Sequence, residues 1–387
     1  MSDFNIKASV LVHRIPVERP VRTSFGTMLD RPSVLIRLED GDGCVGWGEV
    51  WCNYPSVGAE HRARFLLATV LPLAAELDLF SQPERLWPEL TRRLAVLAIQ
   101  TGETGPIAQT IAGLDCAVQD LAARRAGEPL WRWLNQAARP QVPVYASGIN
   151  PDGAAEAARD AIAAGYAGVK IKIGFDSELD QANLRGAREL VGSDVPLMAD
   201  ANQGWSLEQA LDFAPVCNEL GLAWLEEPLR HDAPDADWIA LGDRLSIPLA
   251  AGENFSSTDE FEELPERRGL GVLQPDLGKW GGAINMLAIG RRSGALGVRF
   301  CPHWLGSGIG LMTSLHVKAA SASEGGYVEV DFNPNALREA IVAACDAGPR
   351  DGSVGLGESP GIGEVEAAVE AFSDCCVMRE EWRTAST

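Results

Sequence analysis

Eight short, apolar, β-prone runs recur between residues 144 and 330, and their regular spacing admits few folds. They lie at 144–146, 169–173, 197–199, 223–225, 249–251, 271–274, 298–301 and 327–330. Each gap has room for one helix and its two connections. Helix signals fill these gaps. Ser206-x-x-Gln209 and Ser257-x-x-Glu260 are capping-box patterns, and Gly165 and Gly221 stand where helix C-caps belong. Eight strand–helix units of this length predict an α/β fold built on a parallel (β/α)8-type barrel. A doubly wound open sheet is the alternative. It fits less well because no G-x-G-x-x-G follows the first run; Gly355-x-Gly357 and Gly306-x-Gly308-x-Gly310 read as loops or turns.

The flanks of this repeat have a different character. Residues from about 4 to 55 read as strands, with a hairpin signal where Asp40-Gly41-Asp42-Gly43 separates the β-prone segments 34–38 and 44–49. Residues from about 59 to 136 read as helices, and 107–126 run without proline to a Gly127-Glu128-Pro129 stop. After about Asn333 the repeat ends. A Gly- and Pro-rich segment at 355–363 precedes a final amphipathic stretch, expected to pack back on the N-terminal part. At 387 residues the chain exceeds a typical single core. The expected organisation is an α+β domain over 1–140, the barrel over 141–332, and a C-terminal segment over 333–387.

A formal charge of −21 argues against nucleic acid and anionic membranes as partners. An anionic substrate must then be drawn by local positive charge, from a metal ion or paired lysines. The eight cysteines include no C-x-x-C pair, the N-terminal residues lack a signal-peptide layout, and no apolar run approaches the length of a membrane span. A cytoplasmic protein with reduced thiols is expected.

In such barrels the chemistry sits at the C-terminal ends of the strands. Asp200, Glu226 and Glu253 end three successive runs, each one strand–helix unit after the last. One acid at a strand end is ordinary surface in so acidic a chain. Three in phase, facing a lysine pair and a histidine, point to a metal site, and hard oxygen ligands suit magnesium. Lys170 and Lys172 are two apart on a strand and share a face. Like charges there depress each other's pKa, which helps make one a usable base. Asp276 and His303 end neighbouring strands, where a carboxylate can fix the imidazole tautomer.

The ordered set of motifs resembles the mandelate-racemase-like subgroup of the enolase superfamily, in the mandelate racemase/muconate lactonizing enzyme family. The matching pieces are Gly46-Trp-Gly-Glu49, Val169-Lys-Ile-Lys-Ile-Gly174, Asp200-Ala-Asn-Gln203, Trp224-Leu-Glu-Glu-Pro228, Gly252-Glu-Asn254, Gln274-Pro-Asp-Leu-Gly-Lys-Trp-Gly-Gly282 and Pro302-His303. They cover most of the chain. The resemblance implies a modified barrel whose mouth is capped by the N-terminal α+β domain, completed by the C-terminal tail. It further implies that Asp200, Glu226 and Glu253 bind Mg2+. Lys172 would be the base on one substrate face, with Lys170 neutralising the substrate carboxylate. His303, paired with Asp276, would be the acid or base on the other face. Glu329 would hydrogen-bond the enediolate oxygen, although its separation from His303 is looser than the family's usual spacing. Asn202 and Lys279 become substrate-side or supporting groups. Loops near residues 22–27 and 51–54 would set substrate choice.

The function implied is Mg-dependent α-proton abstraction from a small hydroxy-carboxylate through an enediolate. Acid-sugar dehydration leads, because the subgroup is rich in such enzymes. A racemase or epimerase is the alternative, since both faces carry a competent base. A muconate-type cycloisomerase fits less well, because that subgroup has a lysine where this chain has Asp276. A non-catalytic barrel would need a broken ligand set, and none is visible. A homo-oligomer is also expected.

Overall fold

In the computed structural model, residues 5–23 and 26–384 are described. The N-terminal part forms an antiparallel sheet of β1 (Lys7–Thr23), β2 (Gly26–Glu39) and β3 (Val45–Val50). The predicted hairpin is present: Asp40 Oδ1 accepts the N–H groups of Asp42 and Cys44 at the turn between β2 and β3. Helix Thr104–Arg125 packs on this sheet, and helix Pro83–Thr101 packs against that helix. The Gly46-Trp47-Gly48 motif has a packing cause. A Cβ on Gly48 would lie 2.2 Å from the carbonyl oxygen of Gly113, so β3 and the second helix approach backbone to backbone.

All eight predicted strands follow, each ahead of a helix. They are β4 (Gln141–Ile149), β5 (Val169–Lys172), β6 (Leu197–Asp200), β7 (Leu225–Glu226), β8 (Leu249–Ala251), β9 (Leu270–Leu273), β10 (Arg299–Phe300) and β11 (Val328–Asp331). Every neighbouring pair is parallel, in the order β10-β9-β8-β7-β6-β5-β4-β11. The ring closes through a backbone bond, Glu329 N–H to the Pro302 carbonyl at 3.0 Å. The lower interior is filled by Tyr145, Met198, Trp224, Ala250, Val272 and Cys301, so the barrel is a packed core rather than a pore.

The helix signals act locally as expected, with one difference. Ser206 and Gln209 form a reciprocal capping box. Ser257 caps its helix through the Glu260 N–H, but the Glu260 carboxylate accepts from Ser256 instead of returning to Ser257. After helix Ala336–Ala344, β12 (Ser353–Gly355) pairs antiparallel with β4. Finally β13 (Cys376–Arg383) joins the outer edge of β1, giving the order β13-β1-β2-β3 and completing the capping sheet. Among the described residues, no helix is long and apolar enough to cross a membrane.

Candidate active site

The barrel strands deliver the groups read from the sequence to one end. Inward alternation on β5 places Lys170 and Lys172 on the same face. Lys172 is in register with Asp200 on β6, and Asp200 with Glu226 on β7. Glu253, Asp276 and His303 follow β8, β9 and β10, and Glu329 lies on β11 beside Tyr145 of β4. Lys172, Asp200, Asn202, Glu253, Lys279, His303 and Glu329 line a cavity of about 530 Å³. Lys170 and Asp276 stand behind that surface and bond to Glu329 and His303 on it, and Glu226 lies behind them, bonded to Lys170. The outer wall comes from Val21, Trp51, Asn53, Tyr54 and Leu305. Of the expected specificity loop 22–27, Ser24 and Phe25 lie outside the described residues, as do the side chains of Arg22 and Thr23. Asn202 and Glu227, at the mouth, adopt left-handed backbone with φ of +44° and +39°, a strain that clusters at functional sites.

The buried charges form two linked networks. In the first, Lys170 Nζ donates to Glu226 Oε1 at 2.5 Å and lies 3.1 Å from Glu329 Oε1 and 3.7 Å from Asp200 Oδ2. Glu226 Oε2 accepts from Gln274 Nε2 and Trp224 Nε1. Tyr145 and Ser147 donate their hydroxyls to Glu329. Lys172 Nζ donates to Asn202 Oδ1 at 2.6 Å, and Asn202 in turn holds Asp200. In the second, His303 Nδ1 is 2.7 Å from Asp276 Oδ2 and Nε2 is 2.7 Å from Glu253 Oε2. Lys279 Nζ reaches Glu253 Oε1 at 3.1 Å.

Burial and these contacts shift several of the groups. Burial alone would lower the Lys170 pKa, but Glu226 and Glu329 outweigh it and hold it well above its ordinary value. The expected mutual depression of two lysines therefore fails at Lys170, because carboxylates surround it more closely than Lys172 does. Burial pushes Glu226 up to about 8, helped by Asp200 and Glu329 against the pull of Lys170. Glu227 is likewise pushed up to about 8, by burial and by Glu253. Burial would lower His303, yet Glu253, Glu329 and Asp276 raise it well above its usual value. Glu329 is lowered against its burial by Lys170 and His303. An ionised Glu329 only accepts hydrogen bonds, so donation to an enediolate oxygen would require it to gain a proton. Among the described residues, no three His, Cys, Asp or Glu side chains converge as a ready-made ligand group. Amino groups and the imidazole face the carboxylates instead.

The sequence motifs match known families on both sides of this site. Residues 5–134 match the mandelate racemase / muconate lactonizing enzyme N-terminal domain, and residues 153–367 match the enolase C-terminal domain-like family. The chain belongs to the mandelate racemase/muconate lactonizing enzyme family of the enolase superfamily. The arabinonate dehydratase of Saccharolobus solfataricus is 30% identical, over 80% of this chain and 81% of its own length. A mandelate racemase/muconate lactonizing enzyme from Bordetella bronchiseptica RB50 is 44% identical with a TM-score of 0.83, covering 95% of this chain and 100% of that one. A racemase from Streptomyces coelicolor A3(2), solved with bound magnesium, is 25% identical with a TM-score of 0.82, over 96% and 99% of the two chains. Curated relatives of this enolase-superfamily member are dehydratases, cycloisomerases and racemases, so it is a lyase or an isomerase.

Sequence reasoning missed several members of this superfamily site. Tyr145 and Ser147 hold Glu329, Gln274 holds Glu226, and Asn254 binds the buried Glu227 carboxylate. Tyr145 and Ser147 share the alternation that singled out Lys170 and Lys172, and that signal could have found them.

Proposed function

We propose that this enzyme removes the α-proton of a small hydroxy-carboxylate and expels its β-hydroxyl as water, an acid-sugar dehydration. The observation that carries this reading is the placement of Lys172 against His303. Their strands, β5 and β10, are three steps apart through β4 and β11, and five steps the other way round. The two groups therefore approach the shared cavity from opposite sides.

The carboxylates at the ends of β6, β7 and after β8 suit a magnesium ion in donor type, once they turn from the Asn202, Lys170 and His303 contacts they make here. Asp200, Glu226 and Glu253 would hold it with hard carboxylate oxygens. Glu226 is pushed up chiefly by burial, with Asp200 and Glu329 adding to it against Lys170. The magnesium bound by the S. coelicolor racemase supports the assignment. When bound, the ion offsets negative charge building on the substrate carboxylate.

The chain's own groups supply the remaining chemistry. Lys172 Nζ, in its neutral form, takes the α-proton, and the C–H electron pair moves into the carboxylate as an enediolate. Lys170, oriented by Glu329, faces the carboxylate charge. The electron pair then returns, the Cβ–O bond breaks, and His303 Nε2 protonates the departing hydroxyl. The enol left behind tautomerises to a 2-keto-3-deoxy acid. Asp276 accepts the Nδ1 proton of His303 and, with Glu253 and Glu329, favours the doubly protonated ring, so that Nε2 also carries a proton to deliver. Asn53, Tyr54, Asn202 and Asn333 on the walls suit a hydroxylated chain. The buried Trp51 indole N–H has no acceptor among the described residues and is a donor for a substrate hydroxyl. The arabinonate dehydratase relative supports the substrate class.

A second reading is racemisation, favoured by the presence of a proton-transfer group on each face. Wild-type enzyme with Mg2+ and a panel of acid sugars in D2O, followed by NMR, separates the two. Keto-acid release is the result expected. Interconversion of C2 epimers without water loss would favour the second reading, and no C2 exchange with any hydroxy-acid would sink both.

A further inference from the structure

Glu49, in the last part of the Gly46-Trp-Gly-Glu49 motif, belongs to the capping sheet, yet its carboxylate bonds to the barrel. Its Oε1 accepts the Ser307 N–H at 2.7 Å, and its Oε2 accepts the Ser307 hydroxyl at 2.6 Å and the Gly310 N–H at 2.9 Å. These donors open helix Gly308–Ser321, where a carboxylate satisfies free N–H groups and meets the positive end of the helix dipole. The same helix begins shortly after His303, and the residue between them that matters is Trp304. Its Nε1–H donates to the Ser307 carbonyl at 2.9 Å. Its ring lies where a Cβ on Gly310 would be, 1.9 Å away, and also presses on Gly278, where a Cβ would meet it at 2.8 Å. Gly278 N–H in turn donates to Asp276 Oδ1 at 2.8 Å. Gly306 and Gly310 thus leave room for Trp304, while Gly308 lets the helix approach Ile341.

We infer that Glu49 is a positioning residue for the Asp276–His303 pair, acting through Ser307 and Trp304 to fix both partners at once. The inference rests on the proposed assignment of His303 to the second proton-transfer step. Two neighbouring ties follow the same pattern. Asp115, from helix Thr104–Arg125, accepts the N–H groups of Ala283 and Ile284 at the start of the helix after β9. Arg31 of β2 pairs with Asp331 at the end of β11 at 2.6 Å. The capping domain therefore grips the segments after β9, β10 and β11, the side of the barrel that carries Asp276, His303 and Glu329. Lys172 sits on β5, whose register is set by β4 and β6 instead. Disturbing Glu49 should uncouple the two halves of the reaction.

Glu49→Gln is the test, because one amide oxygen cannot serve three donors and its NH2 opposes one of them. Ser307→Ala is the milder companion, should Glu49→Gln fold poorly. Three readouts are compared with wild type in D2O: deuterium at C2 of recovered substrate, keto-acid release, and the low-field NMR signal of the His303 Nδ1 proton. Water loss should fall about 10- to 100-fold while C2 exchange changes little, and the low-field proton should shift or broaden. Glu49→Asp should recover part of the water loss. A proportional fall in exchange and water loss, with the His303 signal unmoved, would reduce Glu49 to a general structural role and overturn the inference. Unchanged water loss in both Glu49→Gln and Ser307→Ala would also overturn it. Absence of exchange and water loss in the wild type would instead condemn the proposed function, and the His303 signal would still report on Glu49.

Discussion

Replacing Arg31 by Met should destabilise the protein modestly, and replacing Asp331 by Asn should destabilise it more. Both residues are almost fully buried where the capping sheet meets the barrel. Asp331 Oδ2 bonds Arg31 Nη2 at 2.6 Å and Arg338 Nη1 at 2.9 Å, and its Oδ1 accepts from Asn333. Arg31→Met removes one charge-assisted hydrogen bond, a loss of about 1.5–3 kcal/mol. Part returns, because Arg31 Nη1 is buried without a partner among the described residues, and that donor vanishes with the guanidinium. Asp331 keeps Arg338 and Asn333, so the net cost is about 1–2 kcal/mol. Asp331→Asn leaves the buried Arg31 without its countercharge and Arg338 with only the exposed Glu339 at 3.8 Å, a cost of about 3–5 kcal/mol. Urea unfolding followed by tryptophan fluorescence at pH 7 should rank wild type above Arg31→Met and Arg31→Met above Asp331→Asn. The pH dependence adds a second check. Arg31 and Arg338 outweigh burial and hold Asp331 below the usual carboxylate range. A depressed acid contributes stability that is present above its unfolded pKa of about 4 and lost as pH falls below it. The Asp331→Asn deficit should therefore shrink below about pH 4. Equal midpoints for the two variants, or a wild-type midpoint for Arg31→Met, would show that Asp331 does not hold the two arginines in this way.

Other outcomes follow from single contacts. His316 is buried in helix Gly308–Ser321 with its Nδ1 accepting the Trp131 N–H, and burial drives its pKa down to about 3. Its folded pKa lies below the unfolded value of about 6.5, so stability falls as pH drops through that window, by about 2 kcal/mol at pH 5; His316→Gln should flatten that part of a stability–pH curve. Gly48→Ala forces a Cβ to 2.2 Å from the Gly113 carbonyl oxygen and should cost about 3 kcal/mol or abolish soluble expression. Chelation with EDTA should abolish activity, and Mg2+ should restore it better than Zn2+. Glu226→Gln should weaken Mg2+ binding in calorimetry by about tenfold or more, and wild-type affinity would remove Glu226 from the ligand set.

The barrel was legible because parallel strands are buried on both faces and read as apolar runs between capped helices. β13 was not legible as a strand. Its Cys376–Arg383 sequence is a half-exposed edge whose partner, β1, lies at the opposite end of the chain. The charged site residues stood out because lysines and carboxylates are rarely buried, and spacing placed them at strand ends. Tyr145 and Ser147 share the inward alternation of β4 but carry no charge to mark them, and Gln274, just past β9, shows its role only through its bond to Glu226. Glu49 was visible as part of a motif, but its work depends on contacts with Ser307, on a distant barrel segment. Nothing local encodes that.

In the proposed reaction Lys172 and His303 act in separate steps from opposite sides of one cavity. The most direct measurement is the fate of the C2 hydrogen in D2O with His303→Asn and an acid sugar that the wild type dehydrates. Deuterium should accumulate at C2 of the recovered substrate, with keto-acid formation lost, and Lys172→Ala should show no exchange. Keto-acid release by His303→Asn at the wild-type rate would contradict this division of steps and leave Lys172 as the sole proton-transfer group.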